Sequence, residues 1–213
     1  MSTQELAHLR QDYQVADLLE SEVSPDPLEQ FRRWFEQARG VVREPNAMTL
    51  ATVDSEGRPH ARVVLLKGLE ESGFQFYTNI ESDKGRQIAQ RPHVALVFLW
   101  DALERQVRIE GVAERLSDSV ADEYFAVRPR ASQAGAWASQ QSRVLQSREQ
   151  LEAQMAAVVA RYEGQDIPRP EAWGGYVVRP ERIEFWQGRR SRLHDRLVYE
   201  AGAGSWSMVR LSP

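Results

Sequence analysis

"AMTLATVDSEGRPHARVVLLKGL", residues 47–69, sets two apolar runs on either side of the polar segment "DSEGRP" (54–59). That segment is a turn signal, so the stretch reads as a β-hairpin. Downstream the pattern continues: "FQFYTN" (74–79) follows "EESG", and a short helix is expected from about Ser82 to Gln90. "HVALVFLW" (93–100) is a further apolar run, and "RQVRIEGVAERL" (105–116) alternates as a strand does. Short strands at this spacing predict a closed or partly closed barrel rather than a parallel sheet.

On the N-terminal side, "SPDPLEQFRRWFEQARGVV" (24–42) opens a helix. Asp26 caps it, Pro27 suits its first position, and Glu29 makes something close to a capping box. Leu28, Phe31, Phe35 and Ala38 form the core-facing stripe. Residues 1–24 are polar and weakly patterned and are expected to be a mobile segment, with 25–213 a single domain. On the C-terminal side, Ser117 caps a helix over "DSVADEYFAVR" that Pro129 ends. A longer helix runs from Ser147 to Gly164. After "DIPRPEAW" the chain returns to strands at "GGYVVRPERIEFWQG", "DRLVYEA" and "SWSMVRL", with "GAG" turning the last pair. The fold class is therefore α+β, a mostly antiparallel barrel with peripheral helices.

Composition excludes several functions. The 213 residues are 42% hydrophobic and carry a net charge of −4, with a pI near 5.7. A generic nucleic-acid binder would show a basic domain or stripe, so no nucleic-acid partner is expected. There is no cysteine, which removes disulfides, thiolate catalysis and thiolate metal sites. His8, His60, His93 and His194 are scattered, so no metal is expected. No apolar run approaches the roughly 20 residues of a membrane helix, and the start lacks the plan of a signal peptide. A cytoplasmic protein with no membrane partner is the expectation.

Against this acidic background, "FWQGRRSRLHDR" (185–196) gathers Arg189, Arg190, Arg192 and Arg196 around His194. Such clusters fit small anionic ligands. Neither GxGxxG, a P-loop nor GxSxG is present, so a phosphorylated ligand must be held by side-chain cations and hydroxyls. Candidates are Arg62 and Lys67, Tyr77 and Thr78, Lys84 and Arg86, and the segment "YFAVRPRASQ" (124–133). Tyr124 and Arg128, four apart, share a helix face. Ser132 is expected to cap the next short helix, "QAGAWAS". Arginine, tyrosine, serine and free backbone N–H groups would then converge on a phosphate.

The segments "RVVLLK", "FYTN", "LERQV", "YFxxRPRxSQxGAW", "QQS", "WGGY" and "IEFWQGxxxRLHDR" stand in one colinear order over nearly the whole chain. Together they resemble the pyridoxine/pyridoxamine 5′-phosphate oxidases. That resemblance implies an FMN-binding split β-barrel, a homodimer with FMN at the subunit interface, and oxidation of pyridoxine 5′-phosphate or pyridoxamine 5′-phosphate to pyridoxal 5′-phosphate. O2 would be the electron acceptor and H2O2 the product. By position, it assigns FMN to Arg62, Val63, Val64, Leu65, Leu66, Lys67, Tyr77, Thr78, Lys84, Gln106, Gln141, Ser142, Trp186 and Arg196. It assigns the substrate phosphate to Lys67, Tyr124, Arg128 and Ser132, and the substrate ring to Arg192, Leu193 and His194, with Arg192 and His194 catalytic. Arg10 and Tyr13 match an N-terminal segment that closes over the substrate. Arg189 and Arg190 fall where the motif varies and are expected in a solvated turn.

Two features test the resemblance. Asp83 stands where the family commonly has a basic residue, so it must either be compensated by Arg86 or point to solvent. Strict alternation also puts Arg62 and Lys67 on opposite faces, unless the strand twists or ends nearby. The alternatives are another split-barrel flavin oxidoreductase, or a non-catalytic carrier of FMN or pyridoxal phosphate.

Overall fold

The structure is a computed structural model that describes residue 8 and residues 12–213. The hairpin is present as β1 (Ala47–Val53) and β2 (Pro59–Leu65). β3 (Gly68–Glu70), β4 (Gly73–Asn79), β5 (His93–Trp100) and β6 (Arg105–Arg115) follow. The last strands are β7 (Trp173–Gln187), β8 (Asp195–Ala201) and β9 (Trp206–Arg210). They make one sheet in the order β2-β1-β5-β6-β7-β4-β3, with β8 on β7 and β9 on β8. The fifteen-residue β7 changes antiparallel partner along its length: Trp173–Val178 pair with β4, and Arg182–Gln187 pair with β8. With its helices this is the α+β split-barrel architecture that the sequence implies.

The described chain divides into two compact units. One draws on Met1–Thr49, Leu96–Glu110 and Pro180–Pro213, the other on Leu50–Ala95 and Gly111–Arg179. In the first, α1 (Pro27–Arg39) starts where Asp26 accepts a hydrogen bond from the Leu28 N–H at 2.9 Å, with Pro27 at its first position. Leu28, Phe31 and Ala38 are buried as expected, but Trp34 rather than Phe35 completes the stripe. Trp34 meets Phe185 edge-on at 5.1 Å, and Phe31 meets Phe98 at 5.0 Å. Tyr199 donates its hydroxyl to the Ser24 carbonyl at 2.7 Å, and burial pushes its pKa up to about 12.

In the second unit, α2 (Asp83–Gln90) is capped by Ser82, whose side chain accepts from the Gly85 N–H. A Cβ at Gly85 would lie 2.1 Å from the Ile80 carbonyl oxygen, so only glycine lets this helix approach the end of β4. Then come α3 (Asp118–Ala126), α4 (Arg130–Ala138) and α5 (Arg148–Arg161). Ser117 and Ser147 cap α3 and α5 as expected. Ser132 does not cap α4. The helix begins directly after Pro129, whose carbonyl accepts from the Ser132 N–H at 2.8 Å, so Ser132 lies in the first turn. A cluster of Ala121, Phe125, Ala134, Tyr162, Ile167 and Trp173 packs α3, α4 and α5 against the start of β7. Among the described residues no helix is long and apolar enough to cross a membrane.

Candidate active site

In the second unit a cavity of about 780 Å³ collects most of the expected ligand-binding residues. β2 contributes Arg62, Val63, Val64 and Leu65, and Lys67 lies just beyond its end. β2 stops at Leu65, and the Lys67 N–H then donates to the Gln75 carbonyl at 2.8 Å. That break in alternation is how Arg62 and Lys67 reach one cavity. β4 supplies Tyr77, Thr78 and Asn79, and α2 supplies Lys84. The α3–α4 junction adds Tyr124, Arg128, Pro129 and Ser132, and Gln141 and Trp173 complete the wall. Arg128 lies past the end of α3 at Ala126, yet still shares the cavity with Tyr124.

Four cations line this cavity and no carboxylate does. Arg62 donates to Thr52 Oγ1 at 2.5 Å, to the Leu50 carbonyl at 3.2 Å and to Gln87 Oε1 at 3.3 Å. Lys84 Nζ donates to Gln141 Oε1 at 2.7 Å and to Thr78 Oγ1 at 3.3 Å, and Thr78 in turn donates to Gln141 at 3.0 Å. Burial lowers the pKa of Arg62, Lys84 and Arg128, and the nearby Arg62 charge lowers Lys84 further. Asp83 offsets the shift of Arg62 and Lys84 only in part, and desolvated positive charge with no carboxylate in the cavity lining favours an anion.

Arg128 makes the point most directly. Its Nη1 is buried without a hydrogen-bond partner, while its guanidinium lies over Trp173 at 4.8 Å and Phe125 at 5.4 Å. An unsatisfied buried donor is costly, and an incoming oxyanion would satisfy it. Beside it Tyr77 stacks on Tyr124 at 4.1 Å and on Trp173 at 5.3 Å. Burial raises both tyrosine pKa values, so the hydroxyls stay protonated donors. The donor set of cations, hydroxyls and an amide suits a phosphorylated cofactor such as FMN and a phosphorylated substrate.

Asp83 does not oppose this. It is exposed and ion-paired with Arg86, so both readings of that position hold together. Leu66 is buried beside the cavity-lining stretch, and Ser142 Oγ accepts from the Asp83 N–H at 3.2 Å. Sequence reasoning gave no role to Trp173, although it lies in "WGGY", nor to Thr52 and Gln87, which are buried behind Arg62. Thr52 and Gln87 serve through Arg62, whereas Trp173 lines the cavity itself, and no motif spacing marks either.

The remaining expected residues belong to the first unit, where Gln106 lies on β6 and Trp186 on β7. Tyr13 packs edge-on to Trp186 at 5.7 Å and to His194 at 5.6 Å, and Trp186 lies 4.6 Å from His194. Gly188 makes room for this, since a Cβ there would sit 2.7 Å from Tyr13 Cγ. His194 Nδ1 accepts from the Arg189 N–H at 3.1 Å, which leaves the ring proton on Nε2. Burial and then the Arg192 charge lower the His194 pKa, so the ring is neutral near pH 7. Ser191 and Arg192, just before Leu193, hold consecutive positive φ values of 56° and 61°, a backbone region that is strained for both.

Arg189 and Arg190 lie at the turn expected of them, with Arg190 exposed, but both have partners: Arg189 pairs with Asp17 and Asp195, and Arg190 bonds Gln14. Asp195 also accepts from Arg210 at 2.6 Å and from the Leu18 N–H at 3.1 Å. Arg196 forks onto buried Glu184 at 2.8 and 3.0 Å, and this raises its pKa. Arg10 lies outside the described residues.

Comparison with known proteins agrees with this geometry. A family model described as pyridoxamine 5′-phosphate oxidase matches residues 35–162. A second, described as the pyridoxine 5′-phosphate oxidase C-terminal dimerisation region, matches residues 173–213. The chain is 57% identical over 210 residues to the pyridoxine/pyridoxamine 5′-phosphate oxidase of Rubrobacter xylanophilus, covering 98% of this chain and 97% of that protein. It is 58% identical over 212 residues to the enzyme of the same name from Salinibacter ruber, covering 98% and 99%. Among solved structures, PhzG from Burkholderia lata, in complex with tetrahydrophenazine-1-carboxylic acid, superposes with a TM-score of 0.88 at 33% identity, covering 94% of this chain and all of that one. A pyridoxamine 5′-phosphate oxidase-related, FMN-binding protein from Nostoc punctiforme, 17% identical with a TM-score of 0.71 over 90% of this chain and all of that one, shares the fold. With relatives this similar over nearly its full length, and a cavity lined by four cations and no carboxylate, the chain belongs to the pyridoxine/pyridoxamine 5′-phosphate oxidase family of enzymes.

Proposed function

We propose that this chain is a cytoplasmic, FMN-dependent oxidase that converts pyridoxine 5′-phosphate or pyridoxamine 5′-phosphate to pyridoxal 5′-phosphate, with O2 as acceptor and H2O2 as product; from pyridoxamine 5′-phosphate, water supplies the aldehyde oxygen and ammonia leaves. The observation that carries this reading is the carboxylate-free cavity with four cations, one of them holding an unpartnered buried N–H. Arg62 and Lys84, with Thr78 and Gln141, would hold the cofactor phosphate. Lys67, Tyr124, Arg128 and Ser132 would hold the substrate phosphate. When bound, FMN would supply the redox chemistry, a two-electron oxidation at the substrate C4′ carbon with O2 as the final acceptor.

The protein's own part is binding, orientation and charge. Gripping the substrate phosphate with charge-assisted hydrogen bonds fixes one end of a small, rigid molecule. Orienting the ring at the other end converts that grip into alignment of the reacting carbon. Arg192 and His194 take that role, His194 as a neutral ring that donates from Nε2. The match of residues 173–213 to a dimerisation region supports a homodimer, and in this reading FMN would lie at its interface.

The test is optical. The purified protein should be yellow, release FMN rather than FAD on denaturation, and bleach anaerobically when pyridoxine 5′-phosphate or pyridoxamine 5′-phosphate is added. FAD as the dominant flavin, or no bleaching by either compound, overturns the proposal.

A further inference from the structure

Arg62 is held differently from most paired arginines of this molecule. Arg86, Arg108, Arg182, Arg189, Arg196 and Arg210 each bond a carboxylate. The side-chain acceptors of Arg62 are Thr52 Oγ1 and Gln87 Oε1, both neutral, and its others are the carbonyls of Leu50 and His60. Thr52 and Gln87 are also bonded to each other, with the Thr52 hydroxyl donating to Gln87 Oε1 at 2.6 Å. The donor directions close without conflict. Thr52 gives its one proton to Gln87, its lone pair accepts from Arg62 Nη1, and Gln87 Oε1 accepts from both partners. Thr52 is 1% exposed and Gln87 is 8% exposed, and neither lines the cavity that Arg62 faces.

We propose that Thr52 and Gln87 are positioning residues that fix the Arg62 guanidinium with neutral acceptors, so that no bonded carboxylate offsets its charge toward the cofactor phosphate. This rests on the FMN reading above. A guanidinium fixed by a carboxylate has its charge largely cancelled. One left unfixed must lose rotamer freedom each time the anion binds. A cage of neutral acceptors avoids both, and the fixed charge of Lys84 stands close enough to be felt by Arg62's ligand as well.

The experiment compares FMN with riboflavin, which has the same ring system and no phosphate. Dissociation constants for the full-length apoprotein are measured by flavin fluorescence, for wild type, Gln87→Glu, Thr52→Val and Thr52→Ser. Gln87→Glu keeps size and shape but sets an anion against Arg62. It should weaken FMN binding by about tenfold or more while leaving riboflavin within about twofold. Thr52→Val should weaken FMN by roughly three- to tenfold, and Thr52→Ser, which restores the hydroxyl, should recover it. Equal losses for FMN and riboflavin would show a general structural role and overturn the proposal, as would no loss in either variant. Should Gln87→Glu fail to fold, the Thr52→Val and Thr52→Ser pair decides alone. Wild-type protein that binds the two flavins equally would instead refute the FMN-phosphate assignment itself, and the positioning role with it.

Discussion

Arg128 and Arg192 are both cationic, but their surroundings separate their work. Arg128 presents a buried, unpartnered N–H to the cavity, whereas Arg192 sits on a strained turn two residues from a neutral histidine. Arg128→Leu should weaken substrate binding by roughly ten- to a hundredfold, the worth of one charge-assisted hydrogen bond, with little change in flavin reduction at saturation. Arg192→Leu should slow reduction even at saturation, because ring alignment is lost. Anaerobic stopped-flow across substrate concentrations reads both, and the opposite pattern would reverse the assignments. His194 gives a second test at this scale. Its pKa is depressed, so nitrogen NMR should show an Nε2-protonated neutral ring at pH 7 and a titration midpoint below the usual 6.5. Removing the Arg192 charge favours the protonated ring, so Arg192→Leu should raise that midpoint, though only partly, since burial is the larger cause. The cations of the cavity were legible in the sequence because charge without counter-charge shows in a string of letters. Trp173, Thr52 and Gln87 were not, because they act by packing and by hydrogen bonds to residues 10 to 35 positions away, as Thr52 does with Arg62 and Gln87.

Elements were read well where a local signal sets them. Asp26, Ser82, Ser117 and Ser147 start their helices as their side chains dictate, and the hairpin around Gly57 is present. The reading failed at α4, where Pro129 supplies the first acceptor through its backbone and Ser132 is left inside the helix. It also left open how Arg62 and Lys67 could meet, because β2 ends at Leu65 and the Lys67 N–H then bonds the Gln75 carbonyl of β4, a contact made in three dimensions. α2 offers a test of how tightly an element is seated. Gly85→Ala places a methyl group 2.1 Å from a backbone oxygen that has no rotamer to change. It should destabilise the protein by roughly 1–3 kcal/mol and, by tilting Lys84, weaken FMN retention. Urea melts and flavin content check the two effects, and an unchanged melt would show that α2 is free to shift.

For the molecule as a whole, the arginines pair widely with carboxylates, and three of them converge on one that is buried, Glu184. It is 1% exposed and accepts from Arg196, Arg108 and Arg182. Burial alone would raise its pKa, but the Arg196 hydrogen bond and the three positive charges more than reverse that, and the net shift is downward. A carboxylate with a depressed folded-state pKa contributes stability that is present above its unfolded value, near 4.5, and lost as pH falls through the folded value. Glu184→Gln should therefore cost about 1–3 kcal/mol at pH 7, less than a fully buried pair because the guanidiniums reach solvent. The gap from wild type should close as pH falls below 4.5. Denaturant melts from pH 7 to pH 3 measure it, and a constant gap would refute the titration argument. The absence of cysteine has its own consequence once the proposed chemistry is set beside it. Each turnover would release an oxidant within reach of the protein that made it, and thiolates are the side chains such an oxidant attacks first. A chain with no thiol has nothing to convert to sulfenic acid, and Met48 is sealed in the core. Its working life is then set by wear at its few accessible thioethers, Met155 and Met208 among them, a form of damage that methionine sulfoxide reductases can undo.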